Sequence, residues 1–111
     1  MRIGRELLKG HLPTLVVAIL AERPLHGYAL CKEIGERSGN ALKVGEGTLY
    51  PLLYRLEERG LLKSKWEKKG SGRPRKVYKV TRSGLRFLDR QKAEWGLLFR
   101  LVEDFMGKAW T

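Results

Sequence analysis

Cysteine, long apolar runs and catalytic groups are scarce in this sequence, and each shortage excludes a class of protein. Cys31 is the single cysteine among 111 residues, so no disulfide forms within the chain, and the sequence gives no support for a metal site. The longest apolar run, Leu15 to Ala21, is much shorter than the roughly 20 residues of a membrane-spanning helix. The N-terminus also lacks a signal-peptide cleavage pattern. We therefore expect a soluble, cytoplasmic protein.

Groups for catalysis are few and show no recognisable arrangement. The chain has two aspartates and two histidines, no serine or cysteine nucleophile beside a base, and no phosphate loop of the GxxxxGK type. We interpret His26 as a structural or capping residue, because no second ligand lies at metal spacing, and Cys31 as an inert core thiol. The sequence predicts a protein that is not an enzyme and uses no cofactor and no metal.

Positive charge, in contrast, is abundant and unevenly placed. The formal net charge is +11, and the segment from Leu61 to Arg82 has nine Lys or Arg residues against one acid, Glu67, a local charge of +8. Residues 1–60 contribute nine bases and seven acids, and residues 83–111 contribute five and four. Such a patch favours a polyanionic partner, because neutralised phosphates release condensed counterions. Its location on short strands favours nucleic acid over a membrane surface.

Apolar spacing and Gly/Pro positions predict two helices in the first forty residues. Apolar residues recur at helical spacing from Leu12 to Leu20, with Pro13 in the first turn and Pro24 after the end. A shorter helix is predicted from about His26 to Ser38, where a Gly-Asn pair ends it. We interpret Ala41 to Val44 as a brief strand.

The third predicted helix has the most regular pattern, because four leucines between positions 49 and 56 fall at i, i+3, i+4 and i+7. Thr48 is its predicted N-cap, Pro51 falls in its first turn, and Gly60 ends it. The face opposite the leucines carries Thr48, Tyr50, Pro51, Tyr54, Arg55 and Glu58. Hydroxyls and an arginine on one exposed face can contact phosphates and base edges together. Tyr50 and Tyr54 could instead pack under the segment that follows.

A basic β-hairpin is predicted directly after this helix. Alternating side chains from position 62 to 67 form one strand, and Trp66 and Tyr78 are interpreted as core or hairpin packing. Residues 69–74 form a tip with two glycines that permit close approach to another backbone. Arg73 is the residue predicted to probe the minor groove of DNA or to rest on phosphates. Lys69, Gly72 and Arg75 are predicted to contact DNA beside it.

One long helix is predicted from Thr81, its N-cap, to the end of the chain. Apolar residues repeat there with coiled-coil spacing, and Lys92 interrupts the seam. The seam consists of Leu85, Leu88, Trp95, Phe99, Val102, Met106 and Ala109, and Leu98, Leu101 and Phe105 widen it. So broad a stripe predicts a two-fold dimer, with recognition helices ~34 Å apart. The residues predicted at the interface are Leu88, Trp95, Phe99, Val102 and Met106.

Three motifs occur in order along the chain: His26-Gly-Tyr28, the segment from Glu46 to Leu62, and Gly72-Arg-Pro-Arg-Lys-Val-Tyr78. Together they closely resemble the PadR family of bacterial transcriptional regulators, and the resemblance covers essentially the whole chain. It implies a dimeric winged-helix repressor of the short-chain branch, with a single C-terminal dimerisation helix. Matched by position, Thr48, Tyr50, Pro51 and Tyr54 correspond to the family's recognition helix, and Gly72, Arg73 and Arg75 to its wing.

The resemblance also implies that a small aromatic or planar hydrophobic effector can release the DNA. Trp95 lies where some multidrug-responsive relatives hold a flat ligand between tryptophans of both subunits. Trp95 and Phe99 are therefore the candidate effector-binding residues. Trp95 could equally pack in the seam, and Leu98 and Phe99 could fill the space.

These observations predict a mainly α fold with a β-hairpin. Residues 1–82 form a winged helix-turn-helix DNA-binding domain, and residues 83–111 form a C-terminal dimerisation helix that is one compact unit with it. The expected function is that of a homodimeric, sequence-specific repressor that binds a pseudo-palindromic operator in double-stranded DNA. Two alternatives remain: a winged-helix module that binds a protein or RNA with non-specific basic anchoring, and a small-molecule sensor with its pocket around Trp95.

Overall fold

The computed structural model describes residues 4–68 and 70–107. The chain order of the elements is α1 (Arg5–Glu22), β1 (Leu25–His26), α2 (Gly27–Arg37), α3 (Glu46–Glu58), β2 (Leu62–Glu67), β3 (Arg75–Val80) and α4 (Arg82–Met106). Two predicted positions, Lys69 at the hairpin tip and Ala109 in the seam, lie outside the described residues.

Helix α1 is longer than the sequence predicts, because it begins at Arg5 and carries Pro13 in its interior. A first-turn position for Pro13 is therefore wrong. Proline removes one backbone hydrogen bond, which costs a helix interior about 3 kcal/mol. Burial on both sides of the proline opposes that cost, since Leu12 and Val16 are buried and Leu8 packs against the same core.

The strands form an antiparallel sheet in the order β1-β3-β2. Leu25 pairs with Tyr78 and Leu62 pairs with Val80, so the hairpin of β2 and β3 gains a short third strand at its edge. A two-residue strand carries no alternation of side chains, so β1 could not be predicted from the sequence pattern. The predicted strand at residues 41–44 is wrong, because this segment closes the end of α2: the Ser38 hydroxyl accepts the Leu42 amide at 3.0 Å.

Helices α2 and α3 form the helix-turn-helix. Helix α2 ends as predicted, with Asn40 in the left-handed region at a φ of 68°. Helix α3 begins at Glu46 after Gly45, so Thr48 as its N-cap is wrong, and Pro51 lies in the second turn. Pro51 leaves the carbonyl of Gly47 without an intrahelical donor. Both residues are exposed, so water can satisfy that carbonyl.

The core lies between α1, α2, α3, the inner face of the sheet and the first half of α4. The buried apolar residues of α3 are Leu49, Leu52, Leu53 and Leu56, as the leucine pattern predicts. Helix α4 starts at the predicted cap, where the Thr81 hydroxyl accepts the Gly84 amide at 3.0 Å. Gly84 packs so closely on the carbonyl of Leu61 that an added Cβ would overlap it. The base of the hairpin is thereby fixed to the first turn of α4.

Candidate nucleic-acid interface

Helix α3 presents a continuous exposed face, because its four leucines turn the opposite side of the helix to solvent. Its exposed residues include all five that the sequence predicts to contact DNA: Thr48, Tyr50, Pro51, Tyr54 and Arg55. Tyr54 is 61% exposed and Tyr50 is 41% exposed. The face therefore combines hydroxyls with a guanidinium group, which can hydrogen-bond to phosphates and base edges.

The Tyr50 ring is partly exposed on this face and also contacts α2. A Cβ on Gly27 would lie 2.6 Å from the Tyr50 ring, so a larger residue at the start of α2 would require that ring to move. Burial, followed by the nearby Glu46 carboxylate, raises the pKa of the Tyr50 hydroxyl. The ring contacts α2 at Gly27 and lines a groove that it shares with the hairpin, and its hydroxyl keeps a proton to donate.

The hairpin of β2 and β3 forms the wing, in which Gly72, Arg73 and Arg75 are all exposed. Gly70 has a φ of 61°, which glycine adopts without steric cost and which lets the chain reverse at the tip. The outward face of the two strands adds lysines at positions 63, 65 and 79. These bases surround the predicted contacts of the wing with positive charge.

Glu57 connects the wing to α3. Its carboxylate accepts a hydrogen bond from the Ser64 hydroxyl on β2 and lies 3.6 Å from the Lys76 ammonium on β3. Both strands of the hairpin are thus attached to the last turn of α3. This connection keeps the wing at a defined position beside the exposed face of the helix.

A groove of about 650 Å³ separates the wing from the start of α2 and from α3. Aromatic side chains are prominent in it: Tyr28 and Trp66 are 61% and 68% exposed. Packing of Trp66 in the core is therefore wrong, whereas its neighbours on the hairpin, Lys76 and Tyr78, line the same groove. Tyr78 is buried as predicted, and that burial raises the pKa of its hydroxyl. The alternation of β2 ends at Ser64, a local change that the sequence pattern does not reveal.

The start of α2 reaches this groove through His26. Its Nδ1 lies 3.3 Å from the Ala29 amide nitrogen, at the N-cap position of α2, and can accept from that amide when it carries no proton. Its Nε2 lies 3.1 Å from Nη1 of Arg75, and its ring stacks on that of Tyr28. Sequence reasoning did not assign Tyr28 to the interface. The His26-Gly-Tyr28 motif was the available signal.

A second, apolar groove of about 400 Å³ lies between α1 and α4. Leu8, His11, Trp95, Leu98 and Phe99 are among its lining residues. The rings of His11 and Trp95 meet edge to face, with centroids 5.1 Å apart. Trp95 is half-buried, and Phe99 is 63% exposed. The two predicted effector residues therefore lie beside an open space and do not fill it.

The predicted dimer residues of α4 differ in how much of their surface is available. Phe99 and Met106 are exposed and Val102 is half-buried, all in the second half of the helix. Leu88 is 7% exposed and belongs to the core of its own chain. Its prediction as an interface residue is contradicted, because its side chain is already covered by the core of its own chain.

A helix-turn-helix followed by a basic β-hairpin defines a winged helix-turn-helix nucleic-acid-binding protein. A family model described as the Transcriptional regulator PadR-like family matches residues 16–90. The chain belongs to this family, which confirms the predicted fold class and family and places it among DNA-binding transcription regulators and not among enzymes.

Several relatives resemble the chain over much of its length. A PadR family transcriptional regulator from Eggerthella lenta is 41% identical, with a TM-score of 0.81 over 93% of this chain and 88% of that one. A transcriptional regulator from Clostridium thermocellum is 26% identical, with a TM-score of 0.84 over 93% and 97%. Transcriptional regulator Rv3488 from Mycobacterium tuberculosis is 42% identical over 64 residues, which are 58% of this chain and 56% of that protein.

Within residues 4–68 and 70–107, none of the helices combines the length and the apolar character needed to cross a bilayer. Cys31 is half-buried and packs against the core. Burial, followed by the Glu46 carboxylate, raises the pKa of its thiol and keeps it protonated. This environment agrees with the predicted inert thiol.

Proposed function

We propose that two copies of this chain form a cytoplasmic repressor that binds a pseudo-palindromic operator in double-stranded DNA. The exposed face of α3 enters a major groove, where Thr48, Tyr50, Pro51, Tyr54 and Arg55 contact bases and phosphates. The wing lies on the neighbouring backbone or minor groove through residues 69–75. The observation that carries the proposal is the attachment of a basic wing to α3 through Glu57, with Tyr50 of α3 and Arg73 of the wing lining the same groove.

Pairing along α4 is supported by the apolar surface that the single chain leaves exposed. Leu98, Phe99 and Phe105 are 51%, 63% and 88% exposed on one helix. Contiguous apolar surface of this kind marks an interaction site on a soluble protein. A two-fold pairing of the second half of α4 would cover it, with residues 1–82 as the DNA-binding part and residues 83–111 as the pairing helix. The two recognition helices would then lie ~34 Å apart, one turn of DNA.

Release by a small hydrophobic or aromatic effector is supported by the groove beside Trp95. Its walls are apolar, and the half-buried Trp95 is one of its lining residues. A planar compound could stack on the indole of Trp95 and contact Phe99. In a dimer this compound would lie beside the pairing surface, where it could alter the distance between the two wings.

Selection of bound sequences from a random DNA pool, followed by footprinting, tests the repressor proposal. We expect two half-sites related by a two-fold axis and an affinity that falls steeply with salt. Retention of single-stranded RNA in preference to duplex DNA, or DNA binding with no sequence preference, would instead support an interaction module with basic anchoring. Reporter expression from a promoter that contains the selected site distinguishes repression from activation.

Tryptophan fluorescence tests the effector proposal. Planar aromatic compounds should quench the wild-type protein and weaken its binding to the selected DNA. Because Trp66 and Trp110 also emit, a Trp95→Phe variant is the control, and its remaining fluorescence should not respond. Equal quenching in both proteins would place the ligand elsewhere.

A further inference from the structure

His26 lies between two hydrogen-bond donors but can satisfy only one of them at a time. Nδ1 faces the Ala29 amide at 3.3 Å, and Nε2 faces Nη1 of Arg75 at 3.1 Å. A neutral imidazole has one N–H and one lone pair, whereas the amide and the guanidinium are both donors with no lone pair to offer. The two contacts therefore require different tautomers of the ring.

The surrounding structure makes a change of tautomer easier than a rotation of the ring. His26 pairs with Val77 across the sheet, and Arg75 is two residues further along the same face of β3. The ring of Tyr28 lies nearly parallel to the imidazole, with an interplanar angle of 15° and centroids 6.5 Å apart. In this orientation of the ring, each nitrogen faces one donor, the Ala29 amide or Arg75.

In the free protein Arg75, and not the Ala29 amide, makes the stronger hydrogen bond to the imidazole lone pair. Its contact is the shorter of the two, and a charged donor makes a stronger hydrogen bond than a neutral amide. A DNA phosphate is in turn a better acceptor for Arg75 than imidazole, because it carries a negative charge. Arg75 is exposed on the wing, two residues from Arg73, where a bound duplex would offer phosphates.

We propose that His26 is a positioning residue for DNA binding that couples the wing to the N-terminal cap of α2. In the free protein Nδ1 carries the proton and Nε2 accepts from Arg75. When a DNA phosphate accepts the hydrogen bond of Arg75, Nε2 loses its donor. Nδ1 then gives its proton to solvent and Nε2 takes a proton from solvent. The lone pair on Nδ1 accepts from the Ala29 amide. The number of protons on the ring does not change. This inference rests on the proposed DNA-binding function, and it predicts that α2 acquires its cap when the wing is bound.

Nitrogen NMR of the histidine ring tests the coupling, because a protonated nitrogen and one with a lone pair resonate far apart. Spectra of 15N-histidine-labelled protein are recorded over a series of pH values, and the comparison uses those in which the ring shows one protonated and one unprotonated nitrogen. The signals absent from a His26→Asn variant belong to His26. In the free wild-type protein we expect the proton on Nδ1. In Arg75→Ala, without any DNA, we expect it on Nε2.

Addition of the selected duplex to the wild-type protein should give the same spectrum as Arg75→Ala. The exchange of the Ala29 amide should slow by roughly fivefold, the factor that corresponds to an N-cap of about 1 kcal/mol. Asparagine is itself a good N-cap without the conflict. In His26→Asn the Ala29 amide should therefore be protected already, with no further change on DNA binding.

The outcomes separate this inference from the proposed function. A tautomer that is the same in wild type and Arg75→Ala overturns the coupling, whether or not DNA binds. A tautomer that stays on Nδ1 in a complex formed with the duplex, with binding followed by fluorescence anisotropy, also overturns it. If no duplex binds, the proposed function fails while the change in Arg75→Ala still supports the competition for His26.

Discussion

Arg73 is the exposed arginine at the tip of the wing, and its contribution to DNA binding belongs to the residue scale. Arg73→Ala should weaken binding of the selected duplex by about tenfold for each protomer, since a charge-assisted hydrogen bond contributes about 1.5 kcal/mol. The slope of log affinity against log salt should fall by about one for each protomer. Fluorescence anisotropy at several salt concentrations measures both quantities.

The control for this change is Arg90→Ala, which removes the same charge from the exposed side of α4. We expect it to leave the affinity nearly unchanged. If both variants weaken binding equally, then total charge, and not the position of Arg73, determines the affinity.

Gly84 is a position at which a single added atom, the Cβ of alanine, should lower the stability of the fold. Gly84→Ala places a Cβ on the carbonyl of Leu61, a backbone atom that cannot move aside. We expect a loss of about 1–3 kcal/mol in the free energy of unfolding, as for other overpacked core positions. Urea denaturation provides the measurement.

Gly35→Ala in α2 is the matched change, because the nearest atom to its added Cβ would be at an ordinary distance of 3.8 Å. It should be neutral or stabilising by about 0.5–1 kcal/mol. Equal destabilisation by the two variants would show that loss of glycine, and not the contact with Leu61, is responsible.

Single residues were harder to predict than their surroundings. The sequence predicted an exposed Tyr54 and a buried Tyr78, because each follows from the period of its own element. It failed for Trp66, whose strand leaves the core after Ser64. A residue's exposure depends on what lies across from it, and local spacing carries no information about that neighbour.

At the scale of elements, the attachment of the wing to α3 is the feature most open to test. Glu57→Ala removes the acceptor shared by Ser64 and Lys76, and it should free the hairpin to move relative to α3. We expect faster amide exchange in β2 and β3 and a loss of DNA affinity of about threefold to tenfold, because the wing must then be ordered on binding.

Glu58→Ala serves as the comparison, since it removes an equal charge from the neighbouring, exposed position. It should leave amide exchange unchanged and raise the DNA affinity slightly by removing a negative charge near phosphates. Faster exchange in both variants would contradict a specific anchor at Glu57.

Elements with strong periodicity were predicted well, and those defined by long-range pairing were not. Four leucines were sufficient to predict α3, and the Gly-Asn pair marked the end of α2. Strand β1 exists because β3 offers it a free edge, which is a property of the folded sheet. The start of α1 was misplaced because Pro13 is a strong local signal that tertiary burial outweighs.

At the scale of the whole molecule, the exposed apolar side of α4 determines the expected assembly. Phe99→Glu places a charge on this side and should shift the protein from dimer to monomer, as measured by sedimentation equilibrium. Operator affinity should fall by a factor on the order of 10² to 10⁴, because two half-sites would no longer be bound by one linked pair.

Ala93→Glu introduces the same charge two residues from Trp95, on nearly the opposite side of the helix. That variant should remain dimeric and bind the operator normally. A dimeric Phe99→Glu protein would contradict pairing through this surface. The apolar stripe of α4 could be predicted from the sequence. The sequence could not show which part of the stripe packs in the core of its own chain and which part stays exposed for a partner.

The contact between Gly84 and Leu61 has a mechanical consequence for such a pair. Because the wing and the first turn of α4 meet without a gap, the 25 residues of α4 act as a rigid lever about 37 Å long. A change of about five degrees in the angle between two paired helices would displace the far end of each by about 3 Å. Displacement on that scale is comparable with the spacing of successive base pairs, so a small adjustment at the C-terminal end could move a wing out of register with its half-site.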